Sequence, residues 1–185
     1  MGLLRENLLA GRRVALGGTV AAATVDALRE LGAEVENVAG EQLGDEEDRV
    51  GEWARAHAPL HALVWDGAGA FGAGGQAGLS TALAEAWAVV REVAVGALIP
   101  AGSPAKLVLV APTPDAGPLA DAARSGLENL ARTLSVEWAR HRLTAVLIAP
   151  GERTTEQELA QVVCFAVSEG GGYLSGCRLE LGAAG

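Results

Sequence analysis

The chain has 185 residues, which is enough for one domain around a single buried core. Half of the residues are hydrophobic and a fifth are charged, which excludes a disordered chain, and the net charge of −9 argues against nucleic acid or an anionic membrane as a partner. The first residues, MGLLRENLLAGRR, lack the continuous apolar core of a signal sequence, so we expect no signal peptide, and because no apolar run reaches about 18 residues we expect no membrane span. The only cysteines, Cys164 and Cys177, are expected to be reduced, packed thiols of a cytoplasmic protein.

Short apolar runs alternate with longer segments of helical periodicity in the first half of the chain. The strands and helices are predicted, in turn, at residues 13–18, 19–33, 33–38, 44–58, 60–69 and 78–101. The cluster from Asp45 to Asp48 suits the positive end of a helix dipole, and we expect it to be solvated. The glycine-rich segment 68–78 predicts a surface loop, either the mouth of a site or the cover of a lost one.

The second half continues this alternation, with strands that are apolar on both faces. Its strands and helices are predicted at residues 106–112, 118–141, 143–151, 155–169 and 176–182. The pattern predicts an α/β fold in which a doubly wound parallel sheet lies between two layers of helices. Because ligands of such sheets bind beyond the carboxyl ends of the strands, candidate sites lie at 17–19, 66–75, 111–117 and 150–155.

Two residue patterns allow more than one interpretation. The helix at 118–141 carries small residues, including Gly126, where leucine is usual, which indicates close approach by a substrate, a cofactor or another helix. His57 and His61 have the i, i+4 spacing of metal ligands, but Pro59 between them breaks the helix that would align them. We therefore predict no metal site.

Several segments, in this order, resemble the short-chain dehydrogenase/reductase (SDR) family. LLAGRRVAL and ALRELGAEV are similar to its first strand and helix, and LHALVWDGAG to the strand that ends in its NNAG motif. SGLENLARTLSVEWARHRLTAVLIAPG resembles the stretch from the catalytic helix to the PG motif, and GERTT keeps the PGxxxT spacing. ELAQVVCFAVSEGGGYLSGCRLELG resembles the last helix, the YxxG turn and the final strand. The resemblance covers most of the chain and implies the Rossmann-like fold of NAD(P)-dependent oxidoreductases.

The glycine-rich turn that holds the cofactor pyrophosphate in this family is reduced here. The family pattern TGxxxGxG becomes GGTVAAA, with Thr19 and Ala21 at the later glycine positions. The NNAG motif becomes DGAG at 66–69. The resemblance therefore implies only a vestige of a nucleotide site, at Gly17, Gly18, Thr19, Asp66, Gly67, Gly69, Pro150, Gly151 and Thr155.

The catalytic positions of the family are replaced as well. Alignment on SGLENL places Ala120 at the tyrosine position and Arg124 at the lysine position, while the serine position falls near Pro112. In SDR chemistry the tyrosine hydroxyl exchanges a proton with the substrate oxygen, and the lysine lowers the pKa of that hydroxyl. The family's catalytic asparagine is also missing, since no asparagine lies between residues 38 and 128. We therefore predict no catalytic residue.

Two segments of the family are missing from this chain. The PGxxxT motif runs directly into the next helix, without the substrate-covering loop of about 25 residues, and residues 35–50 leave no room for a further helix and strand. We therefore expect one SDR-like domain over residues 1–185 with six strands in the order 2-1-3-4-5-6. Such short modules resemble the N-terminal half of high-molecular-weight 3-oxoacyl-acyl carrier protein reductases, or inactive partner subunits of heteromeric SDR dehydrogenases.

Two functions are consistent with this resemblance. The first is a catalytically inactive SDR-like subunit that uses no cofactor and forms oligomers with itself or with an active SDR paralogue. The expected contacts are the helices at 78–101 and 118–141 and the segment 155–182, whose counterparts form interfaces in family tetramers. The alternative is a divergent NAD(P)- or flavin-dependent oxidoreductase with an atypical active site, with its cofactor near 17–19 and 66–69.

Overall fold

Six parallel strands form one sheet in the computed structural model, which describes residues 4–38 and 47–182. The strands are β1 (Arg13–Gly18), β2 (Glu34–Asn37), β3 (Ala62–Asp66), β4 (Ala105–Val110), β5 (Leu143–Ala149) and β6 (Arg178–Glu180). They pair in parallel in the order β2-β1-β3-β4-β5-β6. The predicted fold class and the predicted strand order are both confirmed.

Helices cover both faces of the sheet. They are α1 (Ala22–Glu30), α2 (Glu47–Ala56), α3 (Ala68–Phe71), α4 (Gly75–Val93), α5 (Ala120–Glu137) and α6 (Glu156–Val167). One layer consists of α4 with α2 and α5 beside it, and the other consists of α1 packed against α6. Because both faces are covered, every residue of β3 and β4 is buried. None of the described helices has the length and apolar character needed to cross a membrane.

The sheet separates two hydrophobic cores, as the alternation of side chains along a strand requires. Leu63, Leu107 and Leu147 project into the core shared with α2, α4 and α5. Their neighbours Val64 and Val108 project into the core shared with α1 and α6. This alternation also fixes the face of each polar residue within a strand.

Several predicted boundaries differ from the structure. The segment 68–78, predicted as a loop, is helical at Ala68–Phe71 and again from Gly75, and Phe71 is buried. The long helix predicted to run to residue 101 changes to a π-helical turn at Ala94–Leu98. The acidic cluster at 45–48 lies at or beyond the limit of the residues whose side chains are described.

The two cysteines lie in different environments. Cys164 is buried on α6, and burial raises the pKa of its thiol to about 12. Cys177 is exposed, so the prediction that both thiols are packed was wrong for this residue. Cys177 lies directly before the short edge strand β6.

The small residues of α5 admit another helix of the same chain. A side chain at Gly126 would overlap Leu83 of α4, with its Cβ 2.7 Å from the nearest leucine methyl carbon. Ala123 and Leu127 of α5 are completely buried within the molecule. Of the three explanations that the sequence left open for Gly126, helix packing within the chain is therefore the one that the structure supports.

Candidate functional site

The turn after β1 lies directly against the end of β3 at the carboxyl edge of the sheet. Gly18 has a φ of +73°, and a Cβ there would overlap the carbonyl oxygen of Asp66. The next residue, Thr19, donates its backbone N–H to the same carbonyl over 3.4 Å. Only glycine can adopt the positive φ at position 18 and also leave room for the Asp66 carbonyl, which explains why this glycine is present in a shortened turn.

Asp66 is a buried carboxyl group at the centre of this edge. Its side chain is 7% exposed, and Oδ1 accepts the backbone N–H of Ala68 over 2.9 Å. Burial raises the pKa of Asp66 to about 6, and the Ala68 hydrogen bond opposes part of this rise. The residue therefore changes its charge near neutral pH.

Gly67 and Gly69 are enclosed by their neighbours. A Cβ at Gly67 would lie 2.8 Å from the indole ring of Trp65, and a Cβ at Gly69 would overlap the hydroxyl of Thr19. The Thr19 side chain thus fills the space between the turn and the third strand. These two glycines allow close packing of the chain on itself.

Arg124 ties together the carboxyl ends of three strands. The residue is 1% exposed, and Nη1 donates to the carbonyl oxygens of Pro112 and Pro150, each over 2.7 Å. Nη2 donates to Oε1 of Glu180, also over 2.7 Å. Pro112 follows β4, Pro150 follows β5 and Glu180 lies in β6. The guanidinium therefore lies between the carboxyl ends of these three strands and links them.

A chain of ion pairs extends from Arg124 toward the surface. Glu180 also accepts from Arg178 over 2.6 Å, and Arg178 contacts Glu128 over 3.0 Å. The hydrogen bonds from Arg178 hold the pKa of Glu180 below its ordinary value, although partial burial opposes this effect. Charge-assisted bonds of this kind fix the positions of β6 and α5 relative to each other.

The position aligned with the family's tyrosine is filled by the protein itself. Ala120 is buried in a small cluster with Phe71, Ala82 and Ala123. The start of α4 also contacts the segment that leads into α5, since Gly75 donates its N–H to the carbonyl of Pro118 over 2.6 Å. Neither Ala120 nor Phe71 carries a group that can transfer a proton.

The segment from Pro150 to Thr155 leads into α6, and Thr155 is the N-cap of this helix. The Thr155 hydroxyl accepts the N–H of Glu158 over 3.2 Å, and the Glu158 carboxylate accepts the N–H of Thr155 over 2.8 Å. This is a reciprocal capping box. Gly151 donates to the hydroxyl of Thr154 over 2.9 Å. The hydroxyls of Thr154 and Thr155 are therefore both used in local hydrogen bonds.

The two ends of the edge differ in how well they fit a dinucleotide. At the β1 end, the N-terminus of α1 has no side-chain cap, and backbone N–H groups there can meet an anion. At the β4–β5 end, the Arg124 guanidinium lies between the two carbonyls, and no tyrosine or lysine is present to act on a substrate. The residues thus fit the pyrophosphate better than they fit the reacting half of the cofactor.

These residues were identified from the sequence, but the role of Arg124 was not. The alignment placed Arg124 at the lysine position of the family, whereas in the structure its guanidinium donates to two backbone carbonyls and to Glu180. The acceptors lie 12, 26 and 56 residues away in the sequence. The available signal was weak: Pro112 and Pro150 each follow a buried strand, and any buried backbone carbonyl needs a donor.

Comparisons with known proteins identify the fold through structure alone. No family model matches the chain, and no curated protein matches it. A citronellol catabolism dehydrogenase from Pseudomonas aeruginosa PAO1 superposes with a TM-score of 0.73 at 22% identity, over 98% of each chain. The NADH-dependent enoyl-[acyl-carrier-protein] reductase from Aquifex aeolicus VF5 gives a TM-score of 0.75 at 15% identity, over 94% of this chain and 95% of the other.

A third solved structure is similar to the same extent. It is a Beutenbergia cavernae protein assigned as an NAD(P)-dependent gluconate 5-dehydrogenase, with NADP bound at low occupancy. Its TM-score is 0.72 at 17% identity, over 93% of this chain and 95% of the other. The chain therefore has the Rossmann-like α/β fold of these dehydrogenases and reductases, as the SDR resemblance implies.

Proposed function

We propose that this chain is a catalytically inactive subunit with an SDR-like fold, which acts by associating with a second copy or with an active reductase or dehydrogenase of the same fold. The observation that carries the proposal is the buried Arg124 guanidinium, whose bonds to Pro112, Pro150 and Glu180 close the reacting end of the site. The packing of Phe71 over Ala120 supports the same conclusion. A group so enclosed is a structural element, since reacting groups must reach a substrate.

Exposed apolar side chains support the association. Trp87 on α4 is 45% exposed, and Val95 in the π-helical turn is 57% exposed. Val136 on α5 and Phe165 on α6 are also exposed. These residues lie in the segments 78–101, 118–141 and 155–182, whose counterparts form interfaces in SDR tetramers. Large apolar side chains on a surface are a common feature of contact sites.

The alternative function is a divergent NAD(P)-dependent oxidoreductase. It is favoured by the solved structures above, two of whose descriptions name NADH or NAD(P). The open N-terminus of α1 beside Gly18 would receive the cofactor pyrophosphate. The nicotinamide would have to lie outside the region that Arg124 closes.

Cofactor titration distinguishes the two functions. We expect calorimetry with NADH, NADPH and FMN to show no binding tighter than about 100 μM, which corresponds to about 5.5 kcal/mol. Tighter binding would contradict the inactive-subunit proposal. In that event Ala22→Asp, which places a carboxylate at the N-terminus of α1, should weaken binding if the family's turn is used. Arg132→Gln, an equal change of charge at an exposed position of α5, should leave binding unchanged.

Native mass spectrometry tests the association directly. We expect a dimer or tetramer of the chain, or a complex with a co-expressed active reductase of the same fold. Trp87→Glu should weaken the contact between subunits through α4 and α5, and Phe165→Glu the contact between subunits through α6, because each places a charge in an apolar surface. Arg29→Glu on the surface of α1 is the matched control. A monomer under every condition would exclude association as the function.

A further inference from the structure

The amino ends of the strands border a cavity of about 590 Å³ on the face of the sheet that carries α1 and α6. Arg12 before β1, Lys106 at the second position of β4 and Arg142 before β5 all line it. The site described above lies at the opposite edge, about 20 Å away along β4, given the rise of about 3.3 Å per residue from Lys106 to Pro112. The cavity is therefore separate from the SDR-like site, and its volume is within the range of small-molecule sites.

Lys106 is the central residue of this cavity. It is the only lysine in the sequence, and 9% of it is exposed. In the sheet it pairs with Ala62 on one side and Thr144 on the other. Among the described residues, its ammonium has no hydrogen bond and no ion pair within 4 Å, although buried charges are normally paired. The ammonium therefore has its bonding capacity available to a ligand.

The residue beside the Lys106 ammonium is a glycine, which leaves space next to the charged group. A Cβ at Gly172 would lie 3.0 Å from Nζ, so a larger residue there would press against the charged group. Burial lowers the pKa of Lys106, and the charge of Arg12 adds to this effect while Glu169 opposes it. An anion beside Nζ would relieve both unfavourable effects.

The charges of the cavity have the opposite sign to those of the whole protein. Three basic residues and one acidic residue, Glu169, line it, which gives a local charge of +2 in a chain of net charge −9. The single acidic group is peripheral, because the Glu169 side chain is 88% exposed and bonds Arg12 over 3.2 Å. Two positive charges match a dianion, and Pro104 and Leu143 supply apolar wall beside them.

We propose that this cavity binds a small molecule that carries a phosphate monoester group and a compact apolar portion. The phosphate lies between Lys106 and Arg142, with Arg12 as the third cation, and the apolar portion contacts Pro104 and Leu143. Arginine and lysine are the ordinary phosphate ligands of proteins, the first through paired N–H groups and the second as a point charge. The proposal is independent of whether the opposite edge binds NAD(P).

Calorimetric titration at constant ionic strength tests the charge and the shape of the ligand. The probes are phenyl phosphate, inorganic phosphate and benzoate. We expect phenyl phosphate to bind most tightly, inorganic phosphate more weakly because it lacks the ring, and benzoate at least about tenfold more weakly than phenyl phosphate because it has a single charge. Equal affinity for benzoate would overturn the assignment of a phosphate site.

Variants locate the binding. Lys106→Met keeps the length of the side chain and should weaken phenyl phosphate at least about tenfold, the loss expected for a charged hydrogen bond. Arg142→Gln should weaken it less, because Arg142 is exposed. Glu169→Gln should tighten it, since the competing carboxylate is removed. Arg153→Gln, a charge change at the opposite edge, is the control, and an effect equal to that of Lys106→Met would overturn the proposal.

Chemical labelling supplies a second readout that needs no variant. Because Lys106 is the only lysine, an amine-selective reagent modifies only this side chain and the terminal amine. Phenyl phosphate should slow the labelling of the peptide that contains residue 106, as followed by mass spectrometry, while the labelling of the terminal amine is unchanged. No protection at about ten times the measured Kd, where a bound site is about 90% filled, would overturn the proposal, and so would the absence of measurable binding by either method.

Discussion

The two ends of the sheet each contain one buried cation, and the two cations are used differently. At the carboxyl end, the Arg124 guanidinium donates to Pro112, Pro150 and Glu180 over 2.7 Å in each case. At the amino end, the Lys106 ammonium has no hydrogen bond or ion pair among the described residues. Burial alone therefore does not distinguish a structural cation from a ligand-binding one. The distinction lies in whether the donors of the cation are already bonded within the protein.

The chemistry of the two side chains explains this difference. A guanidinium is planar, is always charged and has five donors in a fixed arrangement, so it suits several acceptors whose positions do not change. An ammonium is a flexible point charge whose three donors rotate freely. The carboxyl end thus has an arginine where fixed backbone carbonyls must be satisfied, and the amino end has a lysine beside an open cavity.

The largest effect is expected from removal of the cation at the carboxyl end. Arg124→Met should lower the free energy of unfolding by about 3–5 kcal/mol, because two buried carbonyls and Glu180 lose their donor. Arg124→Lys should lower the free energy of unfolding by less, about 1–3 kcal/mol, since the charge is retained but the planar set of N–H donors that bonds several acceptors is lost. Urea denaturation measures both values.

The control for these variants is Arg132→Gln. Arg132 is 63% exposed and pairs with Glu128 over 2.7 Å, so its loss should change the free energy of unfolding by less than about 0.5 kcal/mol. If Arg124→Met were no more destabilising than Arg132→Gln, the carboxyl end would not be held closed by Arg124, and the structural argument for an inactive subunit would lose its basis.

The second effect concerns the buried carboxyl group at the same end. The pKa of Asp66 is raised from 3.8 to about 6, so the folded state holds a proton that the unfolded chain has already released. The stability associated with the neutral form is complete below about pH 4 and is lost as pH rises through about 6, a total of about 3 kcal/mol. Asp66→Asn keeps an oxygen for the Ala68 N–H and cannot ionise.

We therefore expect Asp66→Asn to be more stable than the wild type at pH 8 and similar to it at pH 4. Urea denaturation at a series of pH values measures the difference between the two proteins, in which the other titrating groups cancel. Parallel pH curves for the two proteins would show that Asp66 ionises normally and that this end of the sheet is open to water.

The fold was predictable because it depends on local patterns. The two-sided apolar strands β4 and β5 could only lie inside a sheet with helices on both faces. The strand order was implied by the resemblance to the SDR family, with one helix–strand unit expected to be missing. The π-helical turn at Ala94–Leu98 and the helix at Ala68–Phe71 were not predictable. The helix at Ala68–Phe71 depends on the burial of Phe71 among residues that are distant in the sequence, and this packing overrides the low helix propensity of the glycines in the segment.

The two cations show why the site was harder to predict than the fold. Arg124 was identified by alignment, but its acceptors belong to three different strand ends that only the folded sheet brings together. Lys106 is the only lysine of the sequence, but it lies at the end of the sheet where ligands of this fold class are not expected. A charged residue inside an otherwise apolar central strand was the signal in the sequence.

The smallest effect is expected from the cation at the amino end, and its sign is opposite. Burial and Arg12 lower the pKa of Lys106, so a penalty is present while the group is charged and disappears as pH rises toward its ordinary pKa. Lys106→Met should therefore stabilise the ligand-free protein slightly at pH 7, by less than about 1 kcal/mol, because the side chain borders the cavity and water there screens its charge. The gain should shrink as pH rises toward 10.5 and be absent above that pH. Thermal and urea denaturation measure it. Destabilisation by Lys106→Met would mean that Lys106, like Arg124, holds its end of the sheet together, and the contrast between a structural arginine and a ligand-binding lysine would fail.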